Sequence, residues 1–200
     1  MEICYLHPKY FEPKTDVSAL LDLAQNEKFV ILRFISWSAS HDLGQSGLDL
    51  DKKIELIDKI KAHARIFISS ESKLPDILQK YAINIPTDKM HDVLSCASLF
   101  IGEGPTMASE CAVLGTPAIY INSLDVSYCN EQEKRYRLVY CIRNPKGVIK
   151  KAVELLNTKD IKKAHRKKCS QMLDEKIDPT AFLVDFIENY PRSFKNINKN

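Results

Sequence analysis

Short, continuously apolar runs alternate along the chain with segments of helical periodicity, and this alternation constrains the fold more than any other feature. The apolar runs predict strands at residues 29–35, 65–69, 98–101, 117–121 and 138–142. Helical patterns occupy residues 51–63, 74–81, 90–97, 105–114 and 147–156. Strands that are apolar throughout and alternate with helices are typical of a parallel sheet covered on both faces. The sequence therefore predicts an α/β fold, a Rossmann-like three-layer sandwich that binds ligands at the carboxyl ends of its strands.

The domain organisation follows from length and from the end of this alternation. Two hundred residues, 44% hydrophobic and 28% charged, suit about one globular domain and exclude both a disordered chain and a large multidomain enzyme. Residues 1–157 are the predicted Rossmann-like domain, and residues 158–200 are predicted to be C-terminal helices that pack on the same domain. Asp178 and Pro179 are a suitable cap and first-turn pair for a helix whose apolar face includes Phe182, Phe186 and Tyr190.

Charge is unevenly distributed. Residues 1–142 carry 15 basic and 19 acidic side chains, net −4, whereas residues 143–200 carry 14 and 7, net +7. Six of these basic side chains lie between Lys159 and Lys168. A solvated helix face explains them, and an anionic membrane surface or a phosphate-rich partner is the alternative. No basic-aromatic interleaving or known module points to nucleic acid.

The cysteines and the first residues bear on metal binding and location. Six scattered cysteines form no C-x-x-C pair, so no zinc site is predicted and free thiols are expected. The chain begins without the charged start and apolar run of a signal peptide, and no stretch reaches the length of a membrane span. We therefore expect a cytoplasmic protein, with the basic helix as a candidate contact to the inner membrane face.

Residues 99–110 are the most informative stretch for chemistry. A predicted strand runs into Gly102 and Gly104, and a helix begins at Pro105 with Thr106 in its first turn. Glycines let backbone N–H groups approach an anion, and a helix N-terminus supplies free donors and the positive end of a dipole, which suits a diphosphate. Ordinary turn chemistry is the alternative, because the stretch has neither a Walker loop nor a complete G-x-G-x-x-G.

Glu110 lies one to one and a half turns into the same helix. Its neighbours Met107, Cys111 and Leu114 are expected to face the core. A carboxylate at this position can point into the crevice and accept both hydroxyls of a ribose. An exposed helix glutamate fits the spacing equally well, so both interpretations stay open.

Polar residues at other strand ends complete the candidate site. Arg33 lies in a strand that reads as buried, and the loop after it contains Ser36 and His41. His91 is in the first turn of a helix and is expected on the same edge of the sheet as the glycines. Residues 69–71, Ser-Ser-Glu, read as capping residues. Structural roles compete with ligand binding at each position, and the absence of G-x-S-x-G argues against a serine hydrolase.

Several of these stretches together resemble a known family. Residues 89–94, 97–102 and 104–117 resemble the nucleotide-sugar-binding, C-terminal half of glycosyltransferase B-type proteins. Within that fold the chain resembles a prokaryotic family related to the UDP-N-acetylglucosamine 2-epimerases, through Arg-Phe-x-x-Trp-x-Ala-x-His-Asp at 33–42, Ser-Ser-Glu at 69–71 and Ile-Asp-x-Thr at 177–180. The resemblance runs from about Tyr10 to Tyr190.

The resemblance implies roles for particular residues. It implies that the Gly104-Pro105-Thr106 turn holds the pyrophosphate of a UDP-sugar and that Glu110 binds the ribose hydroxyls. It also implies phosphate or sugar contacts at Arg33, Ser36 and His41. The epimerase pattern has Gly-Gly where this chain has Pro105-Thr106. Because proline has no N–H, one backbone donor is lost there, and the hydroxyl of Thr106 is expected to replace it.

The predicted function is that of a nucleotide-sugar-binding domain in a glycosyltransferase-like protein of glycan or cell-surface polysaccharide synthesis. The UDP-sugar is expected as a substrate, with no cofactor or metal, and no catalytic residue is identified. Because enzymes of the resembled fold use two Rossmann-like domains, we expect a partner domain or chain to supply the acceptor domain. A homo-oligomer is the alternative partner. The alternatives are a non-hydrolysing 2-epimerase-like half and a non-catalytic interaction domain.

Overall fold

The computed structural model describes residues 4–14, 16–36 and 47–197. Five parallel strands form one sheet: β1 (Phe29–Phe34), β2 (Arg65–Ser70), β3 (Leu99–Gly102), β4 (Ala118–Ile121) and β5 (Val139–Ile142). The helices are α1 (Ser18–Leu21), α2 (Leu50–Ile60), α3 (Asp76–Gln79), α4 (Met90–Cys96), α5 (Pro105–Val113), α6 (Ser127–Glu131), α7 (Pro145–Asn157), α8 (Ile161–Asp174), α9 (Pro179–Glu188) and α10 (Arg192–Ile197). The strand order is β2-β1-β3-β4-β5. The predicted α/β fold is confirmed.

Two apolar layers cover the two faces of the sheet. One contains Ile31 and Phe100 from the strands and is closed by buried residues of α4, α5 and α8. The other contains Leu32 and Ile101 and is closed by buried residues of α2 and α7. Successive strand residues point to opposite faces and both faces are buried, which explains why the strands are apolar at nearly every position.

Connections between the strands differ from the prediction in two places. The helix predicted at residues 74–81 is the single-turn α3, which begins after Pro75, where the chain is still extended (ψ 146°). Between β4 and β5 the chain forms α6 and then a π-helical segment, Gln132–Tyr136, which closes at Arg137 with φ 53°. The periodicity of the sequence did not indicate these elements, because a π-helical turn shifts the side-chain spacing away from the α-helical period.

Helices α8 and α9, in the C-terminal region, differ in how far their residues are buried. α8 packs on the domain through its buried residues His165, Cys169 and Met172. The predicted cap of α9 is present, since Asp178 accepts hydrogen bonds from the backbone of Thr180 and Ala181, both at 3.0 Å. By contrast, no residue of α9 is buried. Among the described residues, none of the helices is long and apolar enough to cross a membrane.

Candidate functional site

The order of the strands places a crevice at one position on the sheet. β1 and β3 are neighbours, and the chain leads from β1 outward to β2 and from β3 outward to β4, so the connections after these two strands run in opposite directions. In open α/β sheets this reversal opens a crevice at the carboxyl ends of the strands, and ligands bind there. Arg33, near the end of β1, lies opposite Ser69 of β2 and Gly102 of β3.

Glu103 organises the ends of β1 and β3 around this crevice. Its side chain is fully buried and accepts backbone hydrogen bonds from Ile35 at 3.1 Å and Leu48 at 2.9 Å. The ammonium of Lys53 lies 3.7 Å from one carboxylate oxygen. The carbonyl of Glu103 accepts from Asn122 at 3.1 Å. Sequence reasoning missed this residue, and its only signal was an acidic side chain between two glycines at a strand end.

The N-terminus of α5 follows directly. Gly104 is the N-cap residue and makes no side-chain cap, and Pro105 is the first helical residue. Helix geometry leaves the N–H groups of Thr106 and Met107 without partners inside the helix, and Pro105 has no N–H to offer. Thr106 is exposed. The positive end of the helix dipole therefore opens at the crevice with two backbone donors and one hydroxyl.

Glu110 lies on the same helix and is 7% exposed. One of its oxygens, Oε1, accepts a hydrogen bond of 2.5 Å from the hydroxyl of Tyr5 and lies 3.3 Å from Nε2 of His91. Burial acts to raise the pKa of Glu110, but the hydrogen bonds from His91 and Tyr5, with the charges of His91 and Arg33, outweigh it and lower the pKa below its ordinary value. Glu110 is therefore ionised at neutral pH and can only accept hydrogen bonds.

Arg33 and Ser36 form a second cluster at the crevice. The guanidinium of Arg33 donates to Ser69 Oγ at 2.7 Å and to Glu71 Oε1 at 2.9 Å. The other oxygen of Glu71 accepts from the backbone N–H of Ser36 at 3.2 Å. Glu71, the last residue of the Ser-Ser-Glu stretch, holds these two residues together.

Most of the predicted site residues lie at this one edge of the sheet. His91 contacts Glu110, Arg33 contributes to its electrostatics, and Gly104 approaches Ile35 after β1. His41 lies outside the described residues. Tyr5 was not predicted as a site residue, because it lies 105 positions before Glu110 in the chain.

The basic segment from Lys159 to Lys168 is divided between core and surface. Lys162 is largely buried and donates to the carbonyl of Ser95. Burial and the charge of Arg166 lower the pKa of Lys162 to about 8. Lys168 lies 3.4 Å from the carbonyl of Arg137. Two of the six cations therefore serve the packing of α8, which reduces the charge available to a membrane surface or other partner.

Solved structures of glycosyltransferases share this fold. The spinosyn rhamnosyltransferase SpnG, solved with the spinosyn aglycone, has a TM-score of 0.56 at 12% identity over 90% of this chain and 51% of its own. Os79 from O. sativa, solved with UDP, has a TM-score of 0.53 at 16% identity over 95% of this chain and 43% of its own. A Listeria monocytogenes protein assigned as a UDP-N-acetylglucosamine 2-epimerase has a TM-score of 0.50 at 15% identity over 82% of this chain and 43% of its own.

These similarities show that the Rossmann-like α/β fold of this chain is shared with part of each of these structures, and the identities are too low to show more. The chain spans about half the length of these solved structures. No curated protein matches the sequence. A family defined by sequence, described as "Protein of unknown function (DUF354)", matches residues 2–192. With nearly the whole chain matched, and with the fold and crevice described above, this protein belongs to the DUF354 family.

Proposed function

We propose that this chain binds a nucleotide sugar, specifically a UDP-sugar, in the crevice between the ends of β1 and β3. The observation that carries the proposal is the buried, ionised Glu110, held on α5 behind the uncapped N-terminus of that helix. The pyrophosphate would lie against Gly104, Pro105 and Thr106, and the ribose against Glu110. This arrangement matches each part of the ligand to groups of suitable chemistry.

Complementary charges support this orientation. A diphosphate is favoured where backbone donors and the positive end of a helix converge, as they do at Thr106. It is disfavoured beside an ionised carboxylate, whereas ribose hydroxyls can donate to that carboxylate. Glu110 lies one to one and a half turns after the start of α5. A pyrophosphate at the N-terminus of the helix would therefore leave the ribose beside the Glu110 carboxylate.

Arg33 is proposed as a further phosphate contact. Its guanidinium lies at the crevice in an ion pair with Glu71, whose side chain is 41% exposed. The side chain of Arg33 is 22% exposed, so this pair is partly buried, and a phosphate that replaces Glu71 would give the guanidinium an equivalent charged acceptor. Ser36 belongs to the same cluster. His41 remains a predicted contact, and His91 is proposed to hold Glu110 in position for the ribose.

Glycosyl transfer is the proposed reaction. The bond between the anomeric carbon and the diphosphate oxygen breaks, an acceptor oxygen bonds to that carbon, and the acceptor proton passes to a base. The N-terminus of α5 and Arg33 would stabilise the charge on the departing diphosphate. We propose that the base and the acceptor contacts come from a partner domain or chain, and that the product belongs to glycan or cell-surface polysaccharide synthesis.

Calorimetric titration with UDP and UDP-N-acetylglucosamine tests the binding proposal. We expect measurable binding that weakens roughly tenfold or more in Glu110→Gln, because a hydrogen bond to a charged group contributes about 1.5–3 kcal/mol. Glu175→Gln is a matched control: Glu175 also accepts a tyrosine hydroxyl, from Tyr136 at 2.8 Å, but lies on the segment after α8. The control should bind like the unmodified protein.

Two results would contradict the proposal. Absence of heat with both ligands at millimolar concentration would remove the nucleotide-sugar assignment, and unchanged affinity in Glu110→Gln would remove the ribose assignment. Release of UDP from the UDP-sugar, measured on the chain alone and with added acceptor glycans, then separates a transferase from a binding domain. The polysaccharide assignment predicts loss of a surface glycan when the gene is deleted.

A further inference from the structure

The carboxylate that we assign to the ribose is already engaged by a hydroxyl of the protein itself. Tyr5 donates its phenolic hydroxyl to Oε1 of Glu110 at 2.5 Å, and Nε2 of His91 lies 3.3 Å from the same oxygen. The ring of Tyr5 lies against His91, with ring centroids 5.9 Å apart. Tyr5 thus reaches the centre of the crevice from a distant part of the sequence.

The segment that carries Tyr5 allows its side chain to move. Tyr5 lies in a single 3-10 turn, Cys4–Leu6, and is 49% exposed. The next residue, Leu6, is 2% exposed and packs in the core. The half-exposed side chain of Tyr5 therefore has solvent on one side into which it can rotate, while Leu6 keeps the segment attached to the domain.

Ribose and Tyr5 require the same atom. The two neighbouring hydroxyls of a ribose bind a carboxylate best when each donates to one of its oxygens. That arrangement needs Oε1 of Glu110, which in this structure accepts the Tyr5 hydroxyl. A phenolic hydroxyl and a ribose hydroxyl each donate one hydrogen bond, so a ribose hydroxyl can take the place of the Tyr5 hydroxyl on this oxygen.

We propose that Tyr5 is a built-in competitor of the ribose: its hydroxyl satisfies Glu110 until a nucleotide displaces it. This inference rests on the proposed function and adds to it a means of control. The hydrogen bond keeps a buried carboxylate satisfied, and it lowers the apparent affinity for the nucleotide by the free energy needed to break it. A partner that draws the Tyr5 segment away would raise the affinity.

The test compares affinities for UDP and for 2′,3′-dideoxyuridine diphosphate, which lacks both ribose hydroxyls. Tyr5→Phe removes the competing hydroxyl and keeps the ring, so it should bind UDP roughly tenfold more tightly than the unmodified chain. Its affinity for the dideoxy ligand, which does not need Oε1, should be unchanged. Tyr10→Phe is the matched control, because Tyr10 donates to Asp178 in the same segment and away from the crevice.

The outcomes separate this inference from the function on which it rests. If the unmodified chain binds UDP through Glu110 and Tyr5→Phe binds it equally or less tightly, the competitor role is wrong and the proposed function stands. An equal gain for the dideoxy ligand would also overturn the role, since the gain would not involve ribose. If UDP binds to neither protein, both proposals are wrong.

A spectroscopic measurement reports the displacement directly. The chain has eight tyrosines, and incorporation of fluorotyrosine gives a ¹⁹F signal for Tyr5 that is identified by its loss in Tyr5→Phe. We expect this signal to shift when UDP is added at saturation and to stay in place with the dideoxy ligand. A Tyr5 signal that does not respond to bound UDP would overturn the proposal even if the affinities differ.

Discussion

Arg33 and Gly102 lie opposite each other in neighbouring strands at the crevice, and a Cβ atom on Gly102 would be only 3.1 Å from the Cβ of Arg33. The same atom would lie 2.4 Å from the ring of Phe100, which is fully buried. Close packing beside Arg33 therefore explains the first glycine of the turn.

Replacing Gly102 with alanine should destabilise the protein. Overpacking of a filled core costs about 1–3 kcal/mol, and here the added methyl group meets Phe100 and Arg33 together. Gly104→Ala is the control, because among the described residues its Cβ would meet Ile35 alone, at an ordinary contact distance of 3.5 Å, and its φ of −94° suits alanine. Urea denaturation should show a loss below about 1 kcal/mol for the control, mainly from the weaker N-cap. Equal losses would contradict the packing argument.

Glu103→Gln should also destabilise the protein, although the two side chains have nearly the same volume. The carboxylate accepts from the backbone of Ile35 and Leu48, and a glutamine amide has one oxygen in place of two. One buried N–H then loses its acceptor, at a cost of about 1–3 kcal/mol. Glu55→Gln removes an exposed carboxylate 3.9 Å from Lys52 and should change the free energy of unfolding by less than about 0.5 kcal/mol. A variant as stable as this control would show that Glu103 does not organise the crevice.

The sheet could be predicted from the sequence because burial on both faces leaves each strand as an unbroken apolar run. The crevice could be predicted too, since Arg33 and Gly102 end two of those runs. The sequence did not indicate which role each of the three carboxylates at the crevice has. Glu103 and Glu110 look alike in the sequence, and Glu71, which pairs with Arg33 at 2.9 Å, had no signal beyond its place in the Ser-Ser-Glu stretch.

Contacts between distant parts of the chain have no local signal. Tyr5 reaches Glu110 only because the chain returns to the crevice after more than a hundred residues. The apolar face of α9 had a clear signal, but periodicity predicts that a face is apolar and does not identify what covers it. In the structure Phe182 is 44% exposed and Ile187 is 71% exposed.

Ending the chain after residue 176 should therefore have little effect on the stability of the domain. No residue of α9 is buried, and the contacts of this segment with the domain include those from Lys9 and Tyr10 to Asp178, which lie at the surface and contribute little. We expect the melting temperature to change by less than about 3 °C, which corresponds to roughly 1 kcal/mol for a domain of this size. A fall of about 10 °C or more would show that α9 and α10 contribute to the core after all. Size-exclusion chromatography of both forms would show whether the apolar face joins two copies.

His165 gives the core a dependence on pH. It is fully buried on α8, and Nδ1 lies 3.0 Å from the carbonyl of Ile161. Nε2 has no partner within the described part of the chain. Burial lowers the pKa of His165 from 6.5 to about 4, and the charge of Lys168 adds to this, against a smaller opposite effect of the hydrogen bond to Ile161. The folded protein therefore keeps this imidazole neutral at pH values where the unfolded chain protonates it.

The free energy of unfolding should fall as the pH drops from about 6.5 towards 4, because in this range the imidazole is protonated in the unfolded chain and neutral in the folded protein. Below pH 4 both states are protonated, so this contribution should level off. At pH 5 the loss is about 2 kcal/mol relative to pH 8 for a shift of this size. His165→Leu removes the titrating group and places a side chain of similar size among apolar neighbours. Between pH 8 and pH 5 the variant should therefore lose about 2 kcal/mol less stability than the unmodified protein. Chemical denaturation of both proteins at the two pH values measures the difference. If the two proteins lose the same stability, His165 is not the group responsible, and its neutral form does not contribute to the packing of α8 against the domain.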